Sequence, residues 1–336
     1  MKFTVNRTEL LAAAQNAERI APRVSTIEIL QCAYLQAEQD TLTVASGNLE
    51  IALEQQLPAQ IENEGSVVVK APLLSGMLRL LDGERVTFQM KNGKLVVSSG
   101  NAEYAIPVMD AAQYPRMEIP CPAATVPVSG IPSLTKRTAF AVSEDTTRPM
   151  LKCVNLIFGA DGLQAVSTDS FRIASAKGDR ESRGNISFLI PAASLEKLAA
   201  LVDNREKLQV GTTGKTIVFT KENFSFAARI MEGPYLAVSQ VLSNLKQQFT
   251  VLTDAALLRD TILQALSVTG TQNRFSLSFA GNQLTVRCES EYGVSETAMD
   301  VVALSGEPAG VYWYNPAQLM ELSLIHISEP TRHLRI

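Results

Sequence analysis

The chain has 336 residues, 46% hydrophobic and 19% charged, with a net charge of −4. That allows two or three domains of ordinary globular composition and argues against tight nucleic-acid binding through a broadly basic surface. Its two histidines, His326 and His333, both fall in the last eleven residues, which excludes a Ser-His-Asp triad, a Cys-His pair or a histidine-ligated metal from residues 1–325. Cys32, Cys121, Cys153 and Cys288 form no C-x-x-C pair and read as reduced core thiols. No phosphate-binding glycine loop, signal-peptide core or membrane-length apolar run is present, so a cytoplasmic protein without cofactor or metal is expected.

Residues 1–5 alternate like a strand. Asn6-Arg7-Thr8-Glu9 resembles a capping box, and Leu10, Leu11, Ala14, Ala17 and Ile20 form the apolar stripe of a helix that Pro22 closes. Strands are expected near 30–37, 41–46, 50–57 and 67–69. Ala71-Pro72 opens a second helix to Leu81, with proline in its favoured first turn. Asn92-Gly93 marks a hairpin, and a further strand ends near Pro107. A proline-rich linker from Asp110 to Val126 reads as a domain boundary.

The same order then recurs. A helix is expected over Ile131–Val142, a hairpin at Asp161-Gly162, a strand at 186–190, and a helix over Ala192–Val202 after Pro191. Thr213-Gly214 turns another hairpin, and Phe224–Ile230 closes the unit. A third round begins with a strand over Gln248–Leu252 and a helix over Ala255–Leu266 capped by Thr253. It continues with a hairpin at Gly281-Asn282, strands at 294–303 and 310–314, and a helix opened by Pro316. The helix-opening prolines at 72, 191 and 316 recur about every 120 residues. The fold class expected is α+β: three tandem copies of a helix-plus-antiparallel-sheet domain, over 1–118, 125–243 and an incomplete 244–322. Ser323–Ile336 carries no hairpin signal, and Pro330 breaks any helix. This tail reads as non-native sequence making few native-like contacts, or else as a naturally shortened end.

Cations sit on or beside the expected helices: Arg7, Arg19 and Arg23; Lys70 and Arg79; Lys136 and Arg137; Lys197 and Arg205; Arg259. Each can be a solvated helix face balanced by neighbours such as Glu9, Asp82, Glu196 and Asp260. Their repeated placement also suits a weak phosphate-facing surface without base readout.

Several marks occur in a characteristic order and spacing: the opening MKFTV before the first helix, Arg148-Pro149-Met150-Leu151, Thr168-Asp169 with Arg172, Met231-Glu232-Gly233, and Tyr314-Asn315 before the last helix. Over residues 1–322 the chain resembles the bacterial sliding-clamp family, the beta subunits of DNA polymerase III. The resemblance implies a DNA clamp fold, half of a head-to-tail homodimeric ring, with helices lining the hole. It implies sequence-independent binding of duplex DNA and a tethering role for the polymerase, without a catalytic site, metal or cofactor. Partners implied are the DNA polymerase III catalytic subunit, the clamp loader and other proteins carrying a clamp-binding motif. The alternative is a ring-less scaffold that keeps only the peptide pocket.

Carried over residue by residue, the resemblance implies a partner-peptide pocket of Leu151, Thr168, Ser170, Phe171, Arg172, Ile173, Leu236 and Val241, with Arg148 and Asn315 nearby. Arg23, Arg79, Lys136, Arg137, Lys197 and Arg205 are expected to face DNA. Tyr104 and Ile106 are expected at the ring interface, opposite Leu266. The sequence departs from the family pattern where Ser170-Phe171 replaces a usual glycine-histidine, Leu236 a proline, Gln240 an arginine and Glu28 a proline. The family's final strand, which forms one pocket wall, is missing.

Overall fold

The computed structural model describes residues 1–178, 184–244, 248–270, 274–320 and 334–335. They form two compact units, Met1–Leu236 and Ala237–Ile336.

The first unit contains two rounds of the expected repeat. The first round is β1 (Lys2–Asn6), α1 (Arg7–Ile20), β2 (Cys32–Glu38), β3 (Thr41–Gly47), β4 (Ile51–Asn63), β5 (Gly65–Lys70), α2 (Ala71–Leu80), β6 (Arg85–Lys91), β7 (Lys94–Ser99) and β8 (Ala102–Pro107). Asn6 caps α1, its side-chain oxygen accepting from the amides of Thr8 and Glu9 at 2.9 and 3.2 Å. The stripe of Leu10, Ala13, Ala14, Ala17 and Ile20 is buried. Phe3 and Phe88, from paired strands, stack at 4.8 Å inside the core. Asn92 and Gly93 have φ of 51° and 77°, the left-handed pair that a two-residue turn between β6 and β7 requires.

The second round is β9 (Val126–Val128), α3 (Ile131–Thr138), β10 (Cys153–Gly159), β11 (Gly162–Thr168), β12 (Ile173–Lys177), β13 (Ile186–Pro191), α4 (Ala192–Ala199), β14 (Leu208–Thr213), β15 (Thr216–Lys221) and β16 (Phe224–Arg229). Both helices stop short of expectation. In α3, Thr135 and Thr138 return hydroxyl bonds to the carbonyls of Ile131 and Leu134, a competitor for helical propagation, and a 3-10 turn over Ala139–Ala141 follows. A separate four-stranded sheet runs β12-β11-β10-β13.

The expected boundary near residue 120 is not a break in the sheet. β4 runs six residues past its expected end at 57, to Asn63, and serves both rounds. Its first half pairs with β16, from Ile51 opposite Ala228 to Gln55 opposite Phe224, and its second half pairs with β1. Twelve strands thereby form one sheet, ordered β8-β7-β6-β1-β4-β16-β15-β14-β9, with β3, β2 and β5 branching from β4. Ile20, Ile51 and Leu53 from the first round join the core of the second. The proline-rich linker is strapped over this joint. Arg116 pairs with Glu54 at 2.5 Å and lies over the Tyr34 ring, while Met117 and Ile119 pack on Ala52, Val218 and Ala227.

The second unit holds α5 (Val238–Asn244), β17 (Thr250–Thr253), α6 (Ala255–Ala265), β18 (Arg274–Ala280), β19 (Gln283–Ser290), β20 (Gly293–Asp300), β21 (Val302–Ser305), β22 (Ala309–Trp313) and β23 (Leu334–Arg335), with residues 316–320 helical. Asp254, not Thr253, caps α6, its carboxylate accepting from the Leu257 amide at 2.8 Å. The single strand expected over 294–303 is two. Val301 turns into the core and bonds to the Asn282 carbonyl, which sends β20 to the sheet β20-β19-β18-β22 and β21 to the sheet β21-β17-β23. Tail residues Leu334 and Arg335 pair with Thr253 and Leu252 on β17, so at those two positions the tail adds a strand, against the expectation of few contacts. The tail's two histidines lie outside the described residues. Of the cysteines, Cys121 is exposed rather than in a core; Cys32, Cys153 and Cys288 are buried. Among the described residues no helix is long and apolar enough to cross a membrane and no cluster could hold a metal.

Candidate functional site

Three segments of the first unit meet around the start of β10 and the end of β11. The first is the 3-10 turn Pro149–Lys152, where the Leu151 amide donates to the Arg148 carbonyl and the Leu151 carbonyl accepts from the Ser143 amide. The second is the turn 168–173 joining β11 to β12. The third is the segment 231–236. The Met231 amide donates to the Leu189 carbonyl, and the Tyr235 hydroxyl donates to the Cys153 carbonyl at 3.2 Å. Gly233 lies at φ 143°, where a Cβ would run into the Met150 sulfur; only glycine fits there. Burial pushes the Tyr235 phenol up to about 12, despite a bond with the Thr168 backbone.

The turn bonds most of its polar side chains within the chain. Thr168 is buried; its hydroxyl donates to the Arg172 carbonyl at 2.7 Å and accepts from the Ser170 amide at 3.1 Å. The Asp169 carboxylate accepts from the amides of Phe171 and Arg172, both at 2.9 Å, and from the Arg172 Nε at 3.0 Å. The Arg172 guanidinium also donates to the Phe140 carbonyl at 2.9 Å and lies over that ring. Ser170 takes a left-handed φ of 78°, a conformation that costs a residue with a Cβ. The outcome is that Arg172 points inward and Phe171 outward, 88% exposed, with Leu236 46% exposed. Leu151 and Ile173 are half-buried and Arg148 is exposed.

Eight of the ten expected pocket residues therefore belong to the first unit. The other two belong to the second. Val241 is a half-buried residue of α5, an element the sequence reading missed. Asn315 caps the helical residues 316–320, its side chain accepting from the Ala317 amide at 3.0 Å. The sequence reading also left out Asp169, Tyr235 and Gly233 as site residues, although all three lie in or beside its quoted motifs.

The expected DNA-facing residues divide into two groups. Arg23, Arg79 and Lys197 line one cleft of about 1060 Å³ together with Arg19, Lys70 and Glu18. Within it two helix ends cap each other. Arg19, in the last turn of α1, donates to the Ala200 carbonyl at the end of α4, at 3.0 Å. Lys197, in the last turn of α4, donates to the Arg19 carbonyl at the end of α1. Each cation meets the negative end of the other helix. Burial and then the charge of Arg23 hold the Lys197 ammonium below its ordinary range. Arg7 works in the same way, donating to the carbonyls of Gly83 and Leu78 at the end of α2. Lys70 is paired with Glu28 at 2.7 Å, and each holds the other charged: the bond to Lys70 lowers the Glu28 carboxyl and raises the ammonium. Arg137 is tied to the carbonyls of Ser133 and Lys177. Lys136 and Arg205 are exposed. Arg23 and Arg79 have no ion-pair partner among the described residues.

At the expected ring interface, β8 is the terminal strand of the large sheet. Its inward face carries Tyr104, half-buried, and Ile106, only 6% exposed and part of the first core. Glu103, Ala105 and Pro107 face out. Leu266 is half-buried against the core of the second unit.

A family model described as the DNA polymerase III beta subunit, N-terminal domain, matches residues 1–118, and one described as the central domain of the same subunit matches residues 125–236. The chain is similar to the beta sliding clamp of Bacillus subtilis, 29% identical over 249 residues that span 70% of this chain and 66% of that relative. It is similar to the beta sliding clamp of Micrococcus luteus, 26% identical over 293 residues covering 85% of this chain and 94% of that one. The fold matches the crystal structure of the DNA polymerase III beta subunit of Thermotoga maritima with a TM-score of 0.89 at 20% identity, over 99% of this chain and 91% of that one.

Proposed function

Because the chain belongs to the DNA polymerase III beta-subunit family, the bacterial sliding clamps, we propose that two copies close head to tail around duplex DNA. It is a DNA sliding clamp, a processivity factor rather than an enzyme, that binds DNA and the polymerase. In this proposal retention comes from topology, so the phosphate contacts must stay weak enough to slide. The observation that carries the reading is the combination of a net charge of −4 with two unpaired arginines, Arg23 and Arg79, gathered in one cleft at helix ends. Lys136 and Arg205 extend the DNA-facing set; Lys197 and Arg137 serve it by positioning.

The finer assignments are ours as well. Three clamp domains span 1–118, 125–243 and 244–322, and the chain works in the cytoplasm with the clamp loader, the polymerase catalytic subunit and other proteins bearing a clamp-binding peptide. The turn 168–173, the 3-10 turn with Leu151, and Leu236 receive that peptide, while Val241 and Asn315 are assigned the same role by the family resemblance alone. β8 and the Leu266 region close the ring. The deciding experiment loads the protein onto nicked circular DNA and then linearises it. Retention before the cut and release after it are expected; equal retention on both forms would remove topology as the mechanism.

A second reading, a ring-less scaffold, is favoured by one observation: Val302, Leu304, Val311 and Trp313 stand exposed on edge strands β21 and β22, leaving the second unit with uncovered apolar edges. Sedimentation separates the two, since a persistent monomer at high concentration supports the scaffold.

A further inference from the structure

The three rounds put equivalent residues at equivalent points, and only the third leaves its point bare. Lys70, Pro191 and Asn315 each precede the second helix of a round. Two residues earlier stand Val68, Leu189 and Trp313, opposite Tyr34, Asn155 and Ser276, which recur about every 120 residues. Val68 is fully buried: Met109 of the linker bridges it antiparallel, and the Met109 amide donates to the Val68 carbonyl at 2.9 Å. Leu189 is covered in the same way by Met231, whose amide donates to its carbonyl at 2.8 Å. Trp313, the chain's only tryptophan, is 64% exposed, and Val311 on the same face is 55% exposed. Among the described residues nothing bridges Trp313. β22 is the terminal strand of its sheet, and the Tyr314 amide donates across to the Phe275 carbonyl at 3.1 Å. By the alternation of an antiparallel pair, the Trp313 amide and carbonyl then face the open edge.

We propose that this edge of β22 takes up an extended segment of a partner protein as an added strand, with a carboxylate of that segment meeting Arg274. In such an addition main-chain bonds give the hold, and the side chain at the bridging position gives the choice. In the first round that side chain, Met109, reaches the residue two before Tyr34: the Cys32 thiol donates to the Met109 sulfur at 3.7 Å. The second round keeps a cysteine at that place, Cys153, and the third has Arg274, which is exposed. Its cross-strand neighbour Glu289 is bonded to Arg287 at 3.2 Å, and Arg274 itself has no ion pair among the described residues. A methionine gains nothing from the charge of a guanidinium, whereas a glutamate at the same position pairs with it. An aliphatic residue two positions further on runs over Val311, since alternate side chains of a strand share a face. The occupant that fits is therefore an extended segment with an acidic and an aliphatic residue at alternate positions.

Trp313 itself reports the test. An octapeptide with glutamate at the bridging position and valine two residues on is titrated into the full chain. Two controls carry lysine for the glutamate, or an N-methyl group on the glutamate amide. The glutamate peptide should shift the tryptophan emission to the blue and reduce its quenching by acrylamide. Both controls should bind about tenfold more weakly. Arg274→Glu should reverse the order and prefer the lysine peptide, which also shows that the variant is folded. Equal binding of the glutamate peptide and either control overturns the proposal, as does emission that no peptide moves. Emission already blue without peptide, and shifting to the red on dilution, would assign the edge to a second copy of this chain and overturn it too. The turn 168–173 holds no tryptophan, so the peptide-pocket reading stands or falls separately.

Discussion

The turn 168–173 and the cleft at the ends of α1 and α4 are built from the same kinds of residue and use them in opposite ways. In the turn, the Thr168 hydroxyl, the Asp169 carboxylate and the Arg172 guanidinium are bonded within the chain, and the largest group left facing solvent is the Phe171 ring. In the cleft, two helix ends are tied by Arg19 and Lys197, and what is left for a partner is charge, on Arg23 and Arg79. A charged residue on a functional face thus need not be the one that touches the ligand. Arg172 and Lys197 both lie within expected sites, yet each points its cation at its own chain.

The strongest test of that contrast is Asp169→Ala. It removes the acceptor of two amides and strands the Arg172 guanidinium, whose side chain is 21% exposed. A loss of about 2–4 kcal/mol is expected, read as a lower urea midpoint at unchanged slope, with peptide binding lost alongside. An unshifted midpoint would mean that the turn is not held by this carboxylate. Next in size, Lys197→Met should cost about 1 kcal/mol through the lost helix cap and leave DNA retention nearly unchanged. Arg23→Met should do the reverse, weakening retention, most visibly as salt rises, at no cost in stability. Equal effects of the two on retention would erase the distinction between capping and contacting cations. At neutral pH the smallest effect concerns Tyr235, whose phenol is raised to about 12 from an ordinary 10.0 by burial. A raised folded value means that stability is complete below pH 10 and is lost as pH climbs towards 12. Tyr235→Phe should flatten that decline, measured as urea midpoints across the alkaline range; an unchanged slope would show the phenol to be solvated.

Much of the local structure was legible because its causes are local. Asn6 before the first apolar stripe, proline in the first turn of α2, and Asn92-Gly93 between alternating runs each fix a φ or satisfy an orphan donor within a few residues. The turn 168–173 was legible as a motif for the same reason. What could not be read has distant causes. The acceptor of Arg19 is the carbonyl of Ala200, so its role as a cap has no trace in the residues around position 19. β4 looked like an ordinary strand because nothing within it announces that β16 will pair with its first half. The division of 294–303 depends on Val301 finding the Asn282 carbonyl across a hairpin. Ile106 was assigned to the ring interface by the family resemblance, which picks out the strand but not which of its faces meets the core.

β4 carries one last implication. Because that strand is hydrogen-bonded to β16 along one half and to β1 along the other, prising the two rounds apart along the strand direction would load a row of backbone bonds in shear, all at once, rather than unzip them singly. The first 236 residues should therefore answer a mechanical pull as one stiff spring, and whatever compliance the molecule needs in order to admit a double helix has to be sought outside that seam.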